Sequence, residues 1–268
     1  QSRSSAASDV YKRQIWNLVF DQFLRGEGQG GEYPLLGELD QKSIDTGLGV
    51  ERLAYLLQGK NNMYETDQVF PVIETAQALT DRVYGNGDEV ADTRMRVVAD
   101  HVRSAMMLAS DGVRPGNEGR GYVMRRLIRR AVRSMRLLGY DQPALPELLP
   151  VSKNAMKASY PELEQNFGRL EDVLYTEEEA FRRTLTNGTQ IFDQVASGLK
   201  KTGETTVAGS DAFTLHDTYG FPIDLTLEMA HEAGLKVDEA GFRTAMQEQR
   251  ERARADAQSK NCLLYTSP

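Results

Sequence analysis

Apolar residues recur every three or four positions through most of the chain, which is the spacing of amphipathic helices. The longest such stretch covers residues 163–199, and shorter ones cover 68–83, 93–110, 225–233 and 239–258. The pattern therefore predicts a mainly helical protein from about residue 67 onward.

Two groups of helix-breaking residues interrupt these stretches. Gly168 and Gly188 lie within the longest one and are candidate bends. Four prolines fall between Pro143 and Pro161, so this segment is predicted to be a loop. A division into two domains is compatible with this pattern.

The start of the chain has a different pattern. Residues 15–23 are rich in aromatic and branched side chains, as expected of a strand. A polar, glycine-rich stretch at 25–31 then turns the chain back toward a second strand ending near Asp45. A glycine turn leads into the apolar helix 53–57, so the predicted order is strand, hairpin loop, strand, turn and helix.

The glycine turn carries an acid and an arginine. Asp45 precedes Gly47 and Gly49, and Arg52 follows them at the start of the helix. Glycines let a backbone approach a ligand closely, and the first turn of a helix offers N–H groups to an anion. Taken alone, however, the same residues are also typical of an ordinary capped turn.

Charge is distributed unevenly along the 268 residues. Residues 114–140 contain eight arginines and one glutamate, a net charge of +7, whereas the whole chain carries −7. Arginines at helical spacing suit RNA phosphates, but they also suit carboxylates elsewhere in the same protein. Phosphate binding is the preferred interpretation. The candidate RNA-binding arginines are Arg120, Arg125, Arg126, Arg129, Arg130 and Arg133. The opposite, apolar face of this helix comprises Met124, Leu127, Ile128, Ala131, Met135 and Leu138.

Composition narrows the class of protein. Hydrophobic residues make up 40% of the chain, and no apolar run approaches the roughly 18 residues of a membrane span. No secretory signal opens the sequence, which favours a soluble, cytoplasmic protein without a membrane partner. The single cysteine, Cys262, excludes an intrachain disulfide and a cysteine cluster for zinc.

Two acid-histidine pairs, Asp100-His101 and His216-Asp217, admit an alternative function. Phosphohydrolases that bind divalent metals use such pairs, with several ligands converging from separate helices. The chain has only three histidines, counting His231, and each is more readily interpreted as a surface or packing residue. No metal site is predicted.

Four segments in order resemble the alanyl-tRNA synthetase family: residues 15–20, 43–52, 111–123 and 216–222. The resemblance covers about residues 15–258. It implies an α+β fold, in which the C-terminal piece of a class II antiparallel sheet is followed by a mainly α-helical tRNA-recognition domain. The implied boundaries are 15–66 for the catalytic piece and 67–258 for the helical domain. Residues 1–14 depart from the family pattern and residues 261–268 do not resemble it, so 1–14 and 259–268 are interpreted as non-native flanks.

The resemblance also implies a function, the ATP-dependent joining of alanine to tRNA(Ala). ATP enters with Mg²⁺ as a substrate complex. Asp45 and Arg52 are the implied catalytic residues, the first pairing with the amino group of alanine and the second meeting the triphosphate. Gly47 and Gly49 would approach ATP. The implied alanine pocket comprises Asn17, Val19, Asp45 and Gly47, with Trp16 beside it or supporting the strand as a core residue.

The same resemblance implies that Asn117 and Asp217 read the G·U pair of the tRNA acceptor stem. An acceptor oxygen on each can take a hydrogen bond from the guanine amino group. In isolation either residue is also an ordinary turn or helix cap.

Other family elements, namely the first two class II motifs and a zinc-containing editing domain, are expected outside residues 15–258. We therefore expect the 268-residue chain to be inactive by itself. A second hypothesis is that the chain is a non-catalytic RNA-binding helical module.

Overall fold

The computed structural model describes residues 16–28 and 32–263, with side chains described as far as Arg252. The predicted N-terminal flank, the start of the first strand at Ile15 and the end of the predicted tail lie outside this range. The fold is α+β, mostly helical with small sheets. It divides into two compact units, one ending at Phe70 and the other beginning at Pro71.

The first unit is a β-hairpin followed by a helix, in the predicted order. Strand β1 (Trp16–Arg25) pairs antiparallel with β2 (Leu35–Leu48), and helix α1 covers Val50–Leu57. A single 3-10 turn follows at Met63–Glu65. The strand, glycine turn and helix predicted from the sequence are confirmed over the described residues.

Register gives the hairpin two chemically different faces. Trp16 is opposite Leu48, and Phe20 is opposite Ile44. Because side chains alternate across a strand, these residues lie on one face, and the intervening positions lie on the other. The apolar face is solvent-exposed, with Trp16 57% and Phe20 59% accessible.

The second unit consists mainly of helices. Those longer than one turn are α2 (Phe70–Thr80), α3 (Glu89–Ser110), α4 (Gly119–Leu138), α5 (Leu145–Met156), α7 (Phe167–Thr202), α8 (Gly209–Tyr219), α9 (Ile223–Glu232) and α10 (Glu239–Leu263). Helix α6 is the short turn Glu162–Gln165. Two short strands, β3 (Thr206–Val207) and β4 (Lys236–Val237), pair in parallel. The periodic segments predicted as helices are confirmed, whereas α8 and both short strands were not predicted.

Helix α7 continues through Gly168 and Gly188, the two glycines predicted as bends, so neither residue interrupts the helix. A Cβ atom at Gly188 would lie 2.3 Å from the ring of Phe221, which is fully buried. Phe221 in turn packs against Phe181, which lies in α7 like Gly188, with ring centroids 5.9 Å apart. Gly188 therefore makes room for an aromatic residue of the core.

The predicted loop at 143–161 is also wrong, because most of it forms α5. Pro146 lies in the first turn, where a missing N–H costs no helical hydrogen bond. Buried Glu178 accepts hydrogen bonds from the backbone N–H groups of Ala144 and Leu145, at 2.7 and 3.0 Å. A distant carboxylate thus completes the helix start, which local sequence does not reveal.

None of the described helices has both the length and the apolar character needed to cross a membrane.

Candidate functional site

The face of the hairpin opposite Trp16 and Phe20, called the polar face below, brings together four predicted alanine-binding residues. Asn17 is directly opposite Gly47, and Val19 is directly opposite Asp45. A Cβ atom at Gly47 would lie 2.5 Å from the Asn17 side-chain oxygen. Glycine at this position therefore leaves the space that the Asn17 amide occupies.

Trp16 is separated from this group. It is one residue from Asn17 along a regular strand, so it belongs to the opposite, apolar face with Leu48 and Phe20. The register thus places Trp16 away from the pocket residues, but its side chain is 57% exposed, so the prediction of a core residue is wrong.

Asp45 lies near the end of β2 and Arg52 lies in the first turn of α1, on either side of the glycine turn that joins these elements. Asp45 accepts a hydrogen bond from the Thr46 N–H at 2.8 Å through one oxygen. A Cβ atom at Gly49 would lie 3.2 Å from the Arg52 Cδ atom, so the glycine lets the arginine stem pack against the turn. Gly49 has an ordinary extended backbone, at φ −76° and ψ 117°, so its role is to provide space.

In the helical unit, Asn117 and Asp217 line one cavity of about 310 Å³, although they come from separate segments of the chain. Arg125 donates a hydrogen bond to the Asn117 side-chain oxygen, and Gln249 donates one to an Asp217 oxygen. The two residues predicted to read the same base pair are therefore brought together. Other residues lining the cavity are Glu118, Tyr122, Arg129, His216, Gly220, Pro222, Met246 and Arg250.

His216 lines this cavity and is fixed by a hydrogen bond and a ring contact. Its Nδ1 atom lies 2.9 Å from the Phe221 carbonyl, which can only accept, so Nδ1 carries the proton. Burial lowers the pKa of His216, and its ring meets Phe242 edge-on with centroids 5.5 Å apart. The imidazole thus joins α8 to α10 behind Asp217.

Most of the arginines on α4 are paired with carboxylates of the same unit. Arg125 and Arg129 both bind Glu177 of α7, which is only 8% exposed. Arg129 and Arg133 are themselves buried. The sequence allowed two interpretations of these arginines, phosphate binding and pairing with carboxylates of the same protein. Most of the arginines on α4 make the second kind of contact. The remaining pairs are Arg126 with Asp224, Arg130 with Glu228, Arg133 with Glu228 and Glu232, and Arg136 with Asp141.

Arg120 differs from the paired arginines, since it is exposed in the first turn and has no ion-pair partner among the described side chains.

The apolar face predicted for α4 is confirmed in its main residues. Its buried members are Met124, Ile128, Ala131, Met135 and Leu138.

Burial shapes the electrostatics of this helix. Desolvation lowers the pKa of Arg129, and the attraction of Glu177 opposes that shift. Burial, with the nearby Asp224 carboxylate, raises the pKa of Tyr122 to about 12. The Tyr122 hydroxyl donates to Asp224 at 3.0 Å, so it remains protonated at neutral pH.

Sequence reasoning missed the contribution of α10. Gln249 and Arg250 line the cavity from this helix, together with Met246 one turn earlier. Their spacing of three and four places them on one helical face, but nothing in that pattern identifies what the face meets. Among the described residues, no group of three or more histidine, cysteine, aspartate or glutamate side chains is arranged to hold a metal.

Comparison with known proteins gives consistent matches. A family model described as tRNA synthetases class II (A) matches residues 1–266. The chain is 59% identical over 260 residues to an alanine–tRNA ligase of Leifsonia xyli subsp. xyli, 60% over 249 residues to one of Bifidobacterium longum, and 55% over 248 residues to one of Mycolicibacterium smegmatis. These alignments cover 97%, 92% and 92% of this chain, but only 29%, 28% and 28% of the relatives. The chain therefore spans less than a third of the curated proteins that it matches.

Proposed function

Because this chain belongs to the tRNA synthetases class II (A) family, we propose that it forms part of an alanine–tRNA ligase. Its hairpin unit is the C-terminal piece of a class II catalytic sheet, and its helical unit recognises tRNA. The observation that carries the proposal is the grouping of the predicted residues into two sites, one on the polar hairpin face and one in the Asn117–Asp217 cavity.

The proposed reaction has two steps. A carboxylate oxygen of alanine attacks the α-phosphate of ATP, the bond to the β-phosphate breaks, and alanyl-adenylate and pyrophosphate form. A terminal ribose hydroxyl of tRNA(Ala) then attacks the activated carbonyl and releases AMP. Neither step requires a covalent enzyme intermediate, so the protein contributes position and charge.

We assign alanine to the polar face of the hairpin. The Asp45 carboxylate suits the ammonium group of alanine, and adjacent Val19 suits its methyl group. Asn17 lies above Gly47, where no side chain obstructs it. A pocket this small discriminates poorly against glycine and serine, so we further propose that a zinc-containing editing domain in the full-length protein corrects mischarged tRNA.

We assign the ATP phosphates to the turn before α1. Arg52 is exposed near the N-terminus of this helix, where positive charge and backbone N–H groups favour an anion. Gly47 and Gly49 permit the close approach of a nucleotide to the backbone. Mg²⁺ enters as part of the ATP complex and neutralises phosphate charge.

We assign the G·U pair of the acceptor stem to the Asn117–Asp217 cavity. Each of these residues has a side-chain oxygen that can accept from an exposed guanine amino group. Arg250, which lines the cavity 3.9 Å from Glu118, and exposed Arg120 of α4 provide positive charge for the adjoining phosphates. Arg125, Arg126 and Arg130 are paired with carboxylates but partly exposed, so they can also contact phosphates, whereas buried Arg129 and Arg133 maintain the packing of α4.

The activation step is tested by pyrophosphate exchange in a protein of the relatives' full length that carries this sequence. Asp45→Ala and Arg52→Ala should each lower alanine-dependent exchange on the order of a hundredfold, because each removes a charge-assisted contact. The matched control is Asp40→Ala, which removes another exposed carboxylate from β2. Normal exchange in both test variants would support the alternative of a non-catalytic RNA-binding module.

The recognition step is tested with paired acceptor-stem RNAs that differ only in G·U against G·C. Asn117→Ala should retain normal pyrophosphate exchange but lose most of its preference for the G·U stem. An unchanged preference would exclude the assignment of Asn117.

A further inference from the structure

Helix α10 holds a fixed position against the helix that carries Asp217. Gly209 of α8 meets the backbone of α10 so closely that a Cβ atom there would lie 2.5 Å from the Gly241 carbonyl carbon. The edge-on contact of His216 with Phe242 involves the next residue of α10 and a position two turns farther along α8. Together these contacts anchor the start of α10 on α8, two turns before Gln249.

Gln249 is the residue of α10 that reaches the Asp217 carboxylate. Its amide nitrogen donates a hydrogen bond to Oδ1 of Asp217. Among the described residues, Gln249 is the group that donates a hydrogen bond to this carboxylate. An exposed aspartate otherwise samples several rotamers, so this contact selects one of them.

We propose that Gln249 is a positioning residue that fixes Asp217 for recognition of the acceptor-stem guanine. This inference rests on the proposed function of the Asn117–Asp217 cavity. With Oδ1 engaged by Gln249, the carboxylate keeps its second oxygen as an acceptor in a set orientation. A guanine amino group meets that oxygen only if the carboxylate does not rotate away, so the amide contact increases selectivity without touching the base.

Asn117 is held in a comparable way by Arg125, but that contact is a poor experimental target. Arg125 also binds Glu177, so its removal would leave a buried carboxylate with one partner fewer. Gln249 is half-buried, neutral and outside the arginine–glutamate network. Its replacement therefore changes the carboxylate contact with little effect on folding.

The test uses the same full-length protein and the same paired G·U and G·C acceptor stems. The measured quantity is the ratio of kcat/KM for the two stems, with pyrophosphate exchange as a check on the catalytic unit. Gln249→Met removes the donor and keeps the side-chain length, and Gln249→Lys restores a donor. Gln194→Met is the matched control, since Gln194 is exposed on α7 and makes no side-chain hydrogen bond to the described residues.

Gln249→Met should lower the G·U preference roughly tenfold, the value of one hydrogen bond to a charged group. Gln249→Lys should keep most of the preference, and Gln194→Met should keep all of it. Pyrophosphate exchange should stay normal in all three variants. An unchanged preference in Gln249→Met would overturn the positioning role, as would an equal loss in Gln249→Lys.

Asp217→Ala separates this failure from a failure of the proposed function. If Asp217→Ala loses the preference while Gln249→Met retains it, the cavity reads the base pair without help from Gln249. If Asp217→Ala itself retains the preference, the assignment of the cavity to the G·U pair is wrong, and the role of Gln249 is lost with it.

Discussion

The two units of this chain treat apolar and charged side chains in opposite ways. In the hairpin unit, large apolar residues such as Phe20 are more than half exposed, and the predicted site residues lie on the other face of the same two strands. In the helical unit, the apolar faces are buried and most arginines of α4 bind internal carboxylates. The helical unit thus buries its apolar faces and pairs most of its α4 arginines internally, whereas the hairpin leaves large apolar side chains exposed.

This difference affects how charged motifs in the two units are interpreted. A cluster of arginines resembles an anion site when only its own segment is considered, but partners can lie far along the chain. Glu177 is about fifty residues beyond Arg125 in the chain and pairs with both Arg125 and Arg129. Charge on α4 therefore serves packing first, and the proposed recognition of RNA is assigned mainly to the residues that line the cavity.

The largest expected effect is the loss of the buried carboxylate at Glu177. Glu177→Gln should lower the free energy of unfolding by about 3 kcal/mol, because Arg129 would stay buried without an anionic partner. Urea denaturation followed by helical circular dichroism measures this change. Glu179→Gln is the control, since the exposed pair of Glu179 with Arg183 contributes under about 0.5 kcal/mol. Equal effects would contradict the internal role of the α4 arginines.

The next effect concerns glycines of the longest helix. Gly188→Ala should destabilise the protein by about 1–3 kcal/mol, because the added methyl group overlaps the Phe221 ring. Gly198→Ala in the same helix meets no atom within 4 Å and should stabilise it by roughly 0.5–1 kcal/mol. Thermal denaturation of both variants shows whether each substitution lowers or raises the stability of the protein. Stabilisation by both would show that the core near Phe221 is loosely packed.

A smaller effect depends on pH. Burial raises the pKa of Glu178 above its ordinary 4.5, although the N–H groups of Ala144 and Leu145 oppose the shift. The folded state then holds this proton more tightly than the unfolded state. The contribution of Glu178 to stability is thus greatest at low pH and is lost as pH rises through the folded-state pKa.

Glu178→Gln removes this titration. The stability of the unmodified protein relative to Glu178→Gln should therefore decrease as pH rises from about 4.5 through the folded-state pKa. Urea denaturation of both proteins across this range measures the difference. A difference that grows with pH would mean that the cap hydrogen bonds outweigh burial.

The smallest expected effect lies in the hairpin. Phe20→Thr should change the free energy of unfolding of the 268-residue chain by under about 0.5 kcal/mol, because the ring is exposed and threonine suits a strand. Phe181→Leu in the buried core should cost at least about 1 kcal/mol. A large loss from Phe20→Thr would remove the contrast between the two units.

The sequence predicted the helices and strands better than the contacts between them. Apolar periodicity located the long helices, and the glycine turn before α1 was recognised from residues that are adjacent in the chain. The helix α5 was missed because its prolines resemble a loop, and its start depends on Glu178 of another helix. Contacts of this kind join distant residues, so local patterns do not encode them.

The candidate sites were likewise predictable where a local pattern determines them, but not where they depend on contacts between distant residues. Strand alternation accounts for the grouping of Asn17, Val19, Asp45 and Gly47, and it also separates Trp16 from them. In contrast, the cavity around Asp217 includes Gln249, which no local motif identifies. Only packing of α10 against α8 places that amide beside the carboxylate.

The central claim is that the hairpin activates alanine while the helical cavity selects the RNA. It is tested most directly by measuring pyrophosphate exchange and the G·U to G·C kcat/KM ratio together in full-length Asp45→Ala and Asp217→Ala proteins. We predict that Asp45→Ala loses exchange and keeps the ratio of its residual activity, whereas Asp217→Ala keeps exchange and loses the ratio. Normal exchange in Asp45→Ala together with an unchanged ratio in Asp217→Ala would contradict the account.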